Sequence, residues 1–112
     1  MPRSFVLPDG TPRDLARALE VFRKPAYTLI LMAMKDAPGP WFHSELSSAT
    51  GIKPGTVSQA LAELEALGIV HGDISVEERR GRSVRYSLDR KEYGDLYSSY
   101  AAYLRPADEE NG

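Results

Sequence analysis

The stretch that most limits what this chain can fold into is residues 43–68, HSELSSATGIKPGTVSQALAELEALG, in which two short apolar periodicities stand only a few residues apart. In its first half Leu46 and Ala49 lie three apart, and Thr50-Gly51 ends the segment with the residue type that most readily takes a left-handed backbone. Ile52 then turns toward the core, and Pro54 suits a first helical turn, where a missing N–H leaves nothing unsatisfied. Val57, Ala60, Leu61, Leu64 and Leu67 follow at i, i+3, i+4, i+7 and i+10, the spacing of one buried helical stripe. The spacing predicts two helices joined by a tight turn, the second over residues 54–67.

At about 100° per residue, the side of that second helix opposite the stripe carries Gly55, Ser58, Gln59, Ala62 and Ala66, with Thr56 and Glu63 on a flank. A solvated helix face usually carries long Lys and Glu side chains. A helix that lies in the major groove needs small residues for close approach and a few groups that reach base edges. Gln59 can pair bidentately with adenine, Ser58 can serve either partner of a base pair, and Ala62 can touch a thymine methyl. Gly55 lets the backbone come close, and Thr56 and Lys53 are placed to hold phosphates.

Beyond Gly68, Ile69-Val70 starts a strand-like run in which Ile74 and Val76 alternate with Ser75 and Glu77, and Val84, Tyr86 and Leu88 alternate with Arg85 and Ser87 on the return. The pattern predicts a hairpin whose tip is Glu78-Arg79-Arg80-Gly81-Arg82, the glycine permitting the reversal. Net charge is −2, so affinity for nucleic acid must come from local clustering, and Arg79, Arg80, Arg82 and Arg85 fall within seven residues while Asp108, Glu109 and Glu110 hide part of the balance. Such arginines on a hairpin beside a groove-reading helix would neutralise phosphates or enter a narrow minor groove.

Ahead of this unit, Phe5-Val6-Leu7 and the Pro8-Asp9-Gly10 turn read as an N-terminal arm over residues 1–10. Thr11-Pro12-Arg13-Asp14 then reads as a helix start with Thr11 as cap, and Leu15, Ala18, Leu19 and Phe22 share one face. A second helix from Ala26 to Asp36 is apolar nearly all round and belongs in the centre. Ala37-Pro38-Gly39-Pro40 makes a rigid turn, and Trp41-Phe42 supplies a short strand to pair with the hairpin. Asp89 followed by Glu92 opens a last helix carrying Tyr93, Leu96, Tyr97, Tyr100, Tyr103 and Leu104. Tyrosine couples a large apolar ring to a hydroxyl that wants water or a partner, which suits a subunit interface. Leu15, Leu19, Phe22, Tyr93, Tyr97, Tyr100 and Leu104 are therefore the expected contacts of a homodimer.

The run S-E-L-S-S-A-T-G-I-K-P-G-T-V-S-Q-A-L-A-E-L-E-A-L-G-I-V resembles the helix-turn-helix of bacterial winged-helix regulators, of the ArsR-like and MarR-like families in particular, and with the strand pair the resemblance spans Trp41 to Leu88. It implies a mainly α fold with a small β-hairpin wing: a winged helix-turn-helix with flanking N- and C-terminal dimerisation helices. Helix-turn-helix 43–68, wing 69–88 and C-terminal helix 89–104 would form one domain over residues 11–104, with an acidic tail at 105–112. Such families are mostly dimeric repressors that bind double-stranded DNA. The expected partner is a near-palindromic operator whose half-sites lie about 34 to 36 Å apart. Metal-sensing members use cysteine-rich sites, whereas this chain has no cysteine, so a thiolate metal site is excluded and no cofactor is expected.

Catalysis is not expected. His43 and His71 lack the spacing to another His, Asp or Glu that a metal site or an oriented base would show, and phosphate-binding glycine loops are absent. The chain has 42% hydrophobic and 27% charged residues, ordinary for one soluble domain; with no secretory pattern and no membrane-length apolar run, the expected location is cytoplasmic. Two readings compete with a chromosomal regulator: a winged-helix module that grips protein, and a plasmid or phage DNA-binding protein serving replication, partition or transfer control. The sequence names no small-molecule effector.

Overall fold

A computed structural model describes residues 7–37 and 39–107. Phe5 and Val6 of the expected arm, Pro38 of the turn, and Asp108, Glu109 and Glu110 of the acidic tail lie outside the described residues. The elements run α1 (Arg13–Phe22), α2 (Pro25–Asp36), β1 (Trp41–Phe42), α3 (His43–Thr50), α4 (Pro54–Ala66), β2 (Val70–Gly72), a 3-10 turn (Val76–Glu78), β3 (Arg85–Leu88) and α5 (Arg90–Leu104). This mainly helical chain with a three-stranded antiparallel sheet is a winged helix-turn-helix.

The stripe of α4 drives the packing. Val57, Ala60, Leu61 and Leu64 are all buried, and they meet Tyr27, Ile30, Leu31 and Met34 from α2, Leu46 from α3, and Ile69 and Val70 beyond α4 in one core. Gly51 closes α3 at φ 77°, and its amide donates to the Ser47 carbonyl at 2.9 Å. At the other end of α4 the Ile69 amide reaches the Leu64 carbonyl at 2.9 Å and the Gly68 amide reaches Glu65 at 3.0 Å, the paired reversal that follows a left-handed residue after a helix. Arg17 of α1 donates from Nη2 to the Leu67 carbonyl at 2.7 Å, so a side chain from the first helix also satisfies the end of α4.

Sheet order is β1-β3-β2, with Trp41 opposite Tyr86 and Phe42 opposite Arg85 on one side of β3, and Val70 opposite Leu88 on the other. The expected pairing of Trp41-Phe42 with the wing is thus present. The long hairpin is not. The ladder ends where Asp73 and Arg85 exchange bonds, Asp73 N to the Arg85 carbonyl at 2.9 Å and Arg85 N to Asp73 Oδ1 at 3.0 Å. Ile74 and Val76 then leave the sheet, and Val76–Glu78 coils into a 3-10 turn that leaves Val76 exposed. Alternation across residues 74–77 was therefore no mark of a strand here. The Ile74 carbonyl is taken by Arg79 Nε at 2.8 Å, and that bond holds the chain in a loop.

Two helix starts contrast. Asp89 caps α5 as its sequence predicts, its Oδ1 accepting from the Glu92 amide at 2.9 Å. Thr11 does not cap α1: Pro12 occupies that position and the Thr11 hydroxyl donates instead to the Pro8 carbonyl at 2.6 Å. α2 is central, with Tyr27, Ile30, Leu31 and Met34 buried, but Leu29 and Met32 on its outer side are exposed.

Candidate nucleic-acid interface

Once the stripe of α4 is consumed by the core, its polar side has nowhere to go but outward. Gly55, Thr56, Ser58, Gln59, Ala62 and Ala66 are all exposed, as is Lys53 just ahead of the helix. Nothing among the described residues crosses this side of α4. The small residues leave the helix backbone approachable, and Ser58 and Gln59 are left as its hydrogen-bonding groups.

Beside this face the wing and the start of α3 enclose a cleft of about 490 Å³, lined by Phe42, His43, Ser44, Ser58, Arg82, Ser83, Val84 and Tyr86. The cleft brings α4 and the wing to one place, because Ser58 and Arg82 are both on its wall. A cation, three serine hydroxyls and an imidazole around one open space can hold an anion through charge and donated hydrogen bonds. His43, Ser44 and Ser83 were not among the contacts expected from the sequence. No periodicity marks them, because they come from two turns that the three-stranded sheet brings together.

The four wing arginines separate into two kinds. Arg80, Arg82 and Arg85 are exposed, and the Arg85 guanidinium lies over the Phe42 ring at 5.3 Å from its centre. Arg79 corrects the expectation that the whole cluster faces outward. Its Nη1 donates to Glu65 Oε1 at 2.9 Å and its Nη2 to Glu65 Oε2 at 2.6 Å, with the two side chains only 20% and 21% exposed. These hydrogen bonds hold the Glu65 carboxyl below its ordinary range, against the opposing effect of burial, and the same partner raises Arg79. A guanidinium committed in this way is not free to hold a phosphate. Burial also pushes the Tyr86 hydroxyl up, so at neutral pH that side of the cleft is an uncharged phenol.

The residues expected at a subunit contact also divide. Phe22 and Tyr100 lie against each other within the chain, ring centres 4.8 Å apart, and Tyr93 is half-buried against the core, where burial raises its hydroxyl. Leu15 and Leu19 are half-buried on α1. Tyr97 and Leu104 remain open at 57% and 62% exposure, with Tyr103 nearby on α5 at 47%.

His71 stands apart from the cleft, its Nε2 2.8 Å from Asp89 Oδ2 at the start of α5. Among the described residues no group of three or more His, Cys, Asp or Glu side chains comes together to hold a metal ion, and no helix is long and apolar enough to cross a membrane. Residues 25–71 match the family model described as "Bacterial regulatory protein, arsR family", a span that runs from the start of α2 into β2 and contains both helices of the turn. No curated protein matches the chain.

Proposed function

The chain is a DNA-binding transcription regulator of the bacterial arsR type, carrying that family's helix-turn-helix over residues 25–71, and on this premise we propose that it is a homodimeric repressor that reads a near-palindromic operator. α4 lies in the major groove, where Ser58, Gln59 and Ala62 meet base edges and Gly55 allows the approach. Lys53, Thr56, Arg80, Arg82 and Arg85 hold phosphates, joined by His43 and Ser44 from the cleft. Arg79 is left out of that set because Glu65 occupies it.

The observation that supports this reading best is the shared cleft. An uncovered polar helix face and an arginine-bearing loop could have pointed apart; instead Ser58 and Arg82 line one space, so a groove-bound α4 would carry the wing onto the adjacent backbone. The open rings and methyls of Tyr97 and Leu104 support a second copy on α5, and a dimer spanning two half-sites would exclude other proteins from the same DNA face. Filter retention of random duplex DNA at low salt tests the reading. Retention that falls about 10³ to 10⁵ fold between about 50 and 200 mM salt is expected if roughly 6 to 10 phosphates are neutralised. No retention at low salt refutes it.

A further inference from the structure

The recognition helix and the wing are joined by one side-chain lock, and its parts come from three elements. Glu65 sits near the end of α4; its Oε1 and Oε2 take both Nη atoms of Arg79, and Oε2 also accepts from the Gly72 amide of β2 at 3.0 Å. Arg79 in turn donates Nε to the Ile74 carbonyl at 2.8 Å and lies over the Tyr86 ring of β3, 5.7 Å from its centre. Arg82 is tied to the same point, its amide donating to the Arg79 carbonyl at 2.9 Å. The fit is close: a Cβ at Gly72 would overlap Arg79 Nη2 and come within 2.9 Å of Val84 Cγ1, so residue 72 must lack a side chain for the lock to close.

We infer that Glu65 and Arg79 are positioning residues for DNA binding: they fix the wing loop to α4 so that Arg80 and Arg82 are held at a set offset from Ser58 and Gln59. This inference rests on the DNA-binding reading above and adds how the two halves of that surface are kept in register. The loop from Asp73 to Val84 has only the 3-10 turn for regular structure, so without the lock its arginines would sample many positions, and each phosphate contact would have to order the loop first. A bidentate guanidinium–carboxylate pair suits this role because it fixes orientation as well as distance. Lysine in place of Arg79 would keep the charge and lose the fork.

The test is a double-mutant cycle on duplex binding. Glu65→Gln and Arg79→Lys should each lower the salt slope by about 2, the share of two phosphate contacts, while leaving the ratio between operator and random duplex unchanged. In a chain already carrying Arg80→Ala and Arg82→Ala, the same two substitutions should have no further effect, because the groups they position are gone. A merely destabilising substitution would act equally in both backgrounds. Hydrogen exchange on the wild-type chain requires no variant: the amides of Gly72 and Arg82 should be protected, and Arg79→Lys should release both. Equal losses in the two backgrounds, or a Gly72 amide that exchanges as fast as an open loop, overturn the lock while leaving the DNA reading intact. A wild-type chain that retains no duplex overturns both.

Discussion

The rings of Phe22 and Tyr100 pack 4.8 Å apart with 32° between their planes, tying the end of α1 to the last turns of α5. One pair of aromatic side chains therefore holds together, within a single chain, the two helices that the sequence assigns to a subunit contact. The consequence is a split of roles along α5: Tyr100 works inside the chain, and Tyr97, one turn earlier and 57% exposed, is free to meet a partner.

Tyr100→Ala should accordingly lower the unfolding free energy by about 2 kcal/mol, less than for a fully buried aromatic because the ring is half-exposed. Tyr97→Ala should stay within about 0.5 kcal/mol of wild type in the dissociated chain, yet shift the dimer toward monomer. Urea unfolding and light scattering on the two variants separate these effects. A chain that scatters as a monomer at micromolar concentration removes the dimer from the account.

Acid should loosen the wing before neutral pH does. Glu65 in the folded chain is held below its ordinary value of 4.5, by the hydrogen bonds of Arg79 above all. Asp89 is held below 3.8, first by the Glu92 amide that it caps and next by His71. For both, the unfolded chain binds the proton at higher pH than the folded one does. The stability they contribute is complete above those ordinary values and is lost as pH falls through them toward the lowered ones. Melting temperature followed from about pH 7 to pH 3 should drop over that window, and Glu65→Gln should flatten the drop. An unchanged profile in the variant would show that the pair does not act in this way.

Base reading and phosphate holding are separable by substitution. Gln59→Ala should cost about 1 to 3 kcal/mol on the preferred duplex and relax the preference at one base pair. Arg80→Ala should weaken binding to all sequences alike and reduce the salt slope by about 1. Titrations of both variants with a preferred and a scrambled duplex give the four affinities needed.

The helices were legible in the sequence because their signals are local. Val57, Ala60, Leu61 and Leu64 repeat at the helical period and are buried as that period requires, and Asp89 caps the turn it precedes. The wing was legible as a place but not as a shape. Ile74 and Val76 alternate as strand residues do, yet the loop is set by Arg79 reaching back to Glu65, fourteen positions earlier, and no window of local pattern registers such a bond. The same limit hid His43, Ser44 and Ser83: they line the cleft only because β1 pairs with β3. Thr11 was misread for a local reason, since its hydroxyl had an equally near acceptor in Pro8.

The central claim is that the uncovered side of α4 and the wing meet DNA together. Amide chemical-shift mapping on the whole chain, with a duplex added in low salt, tests it most directly. Shifts concentrated at residues 55–62, at Arg80, Arg82 and Arg85, and at His43 and Ser44 are the predicted result. Shifts confined to the outer sides of α2 and α5, with the amides of Ser58 and Gln59 unmoved, would contradict it.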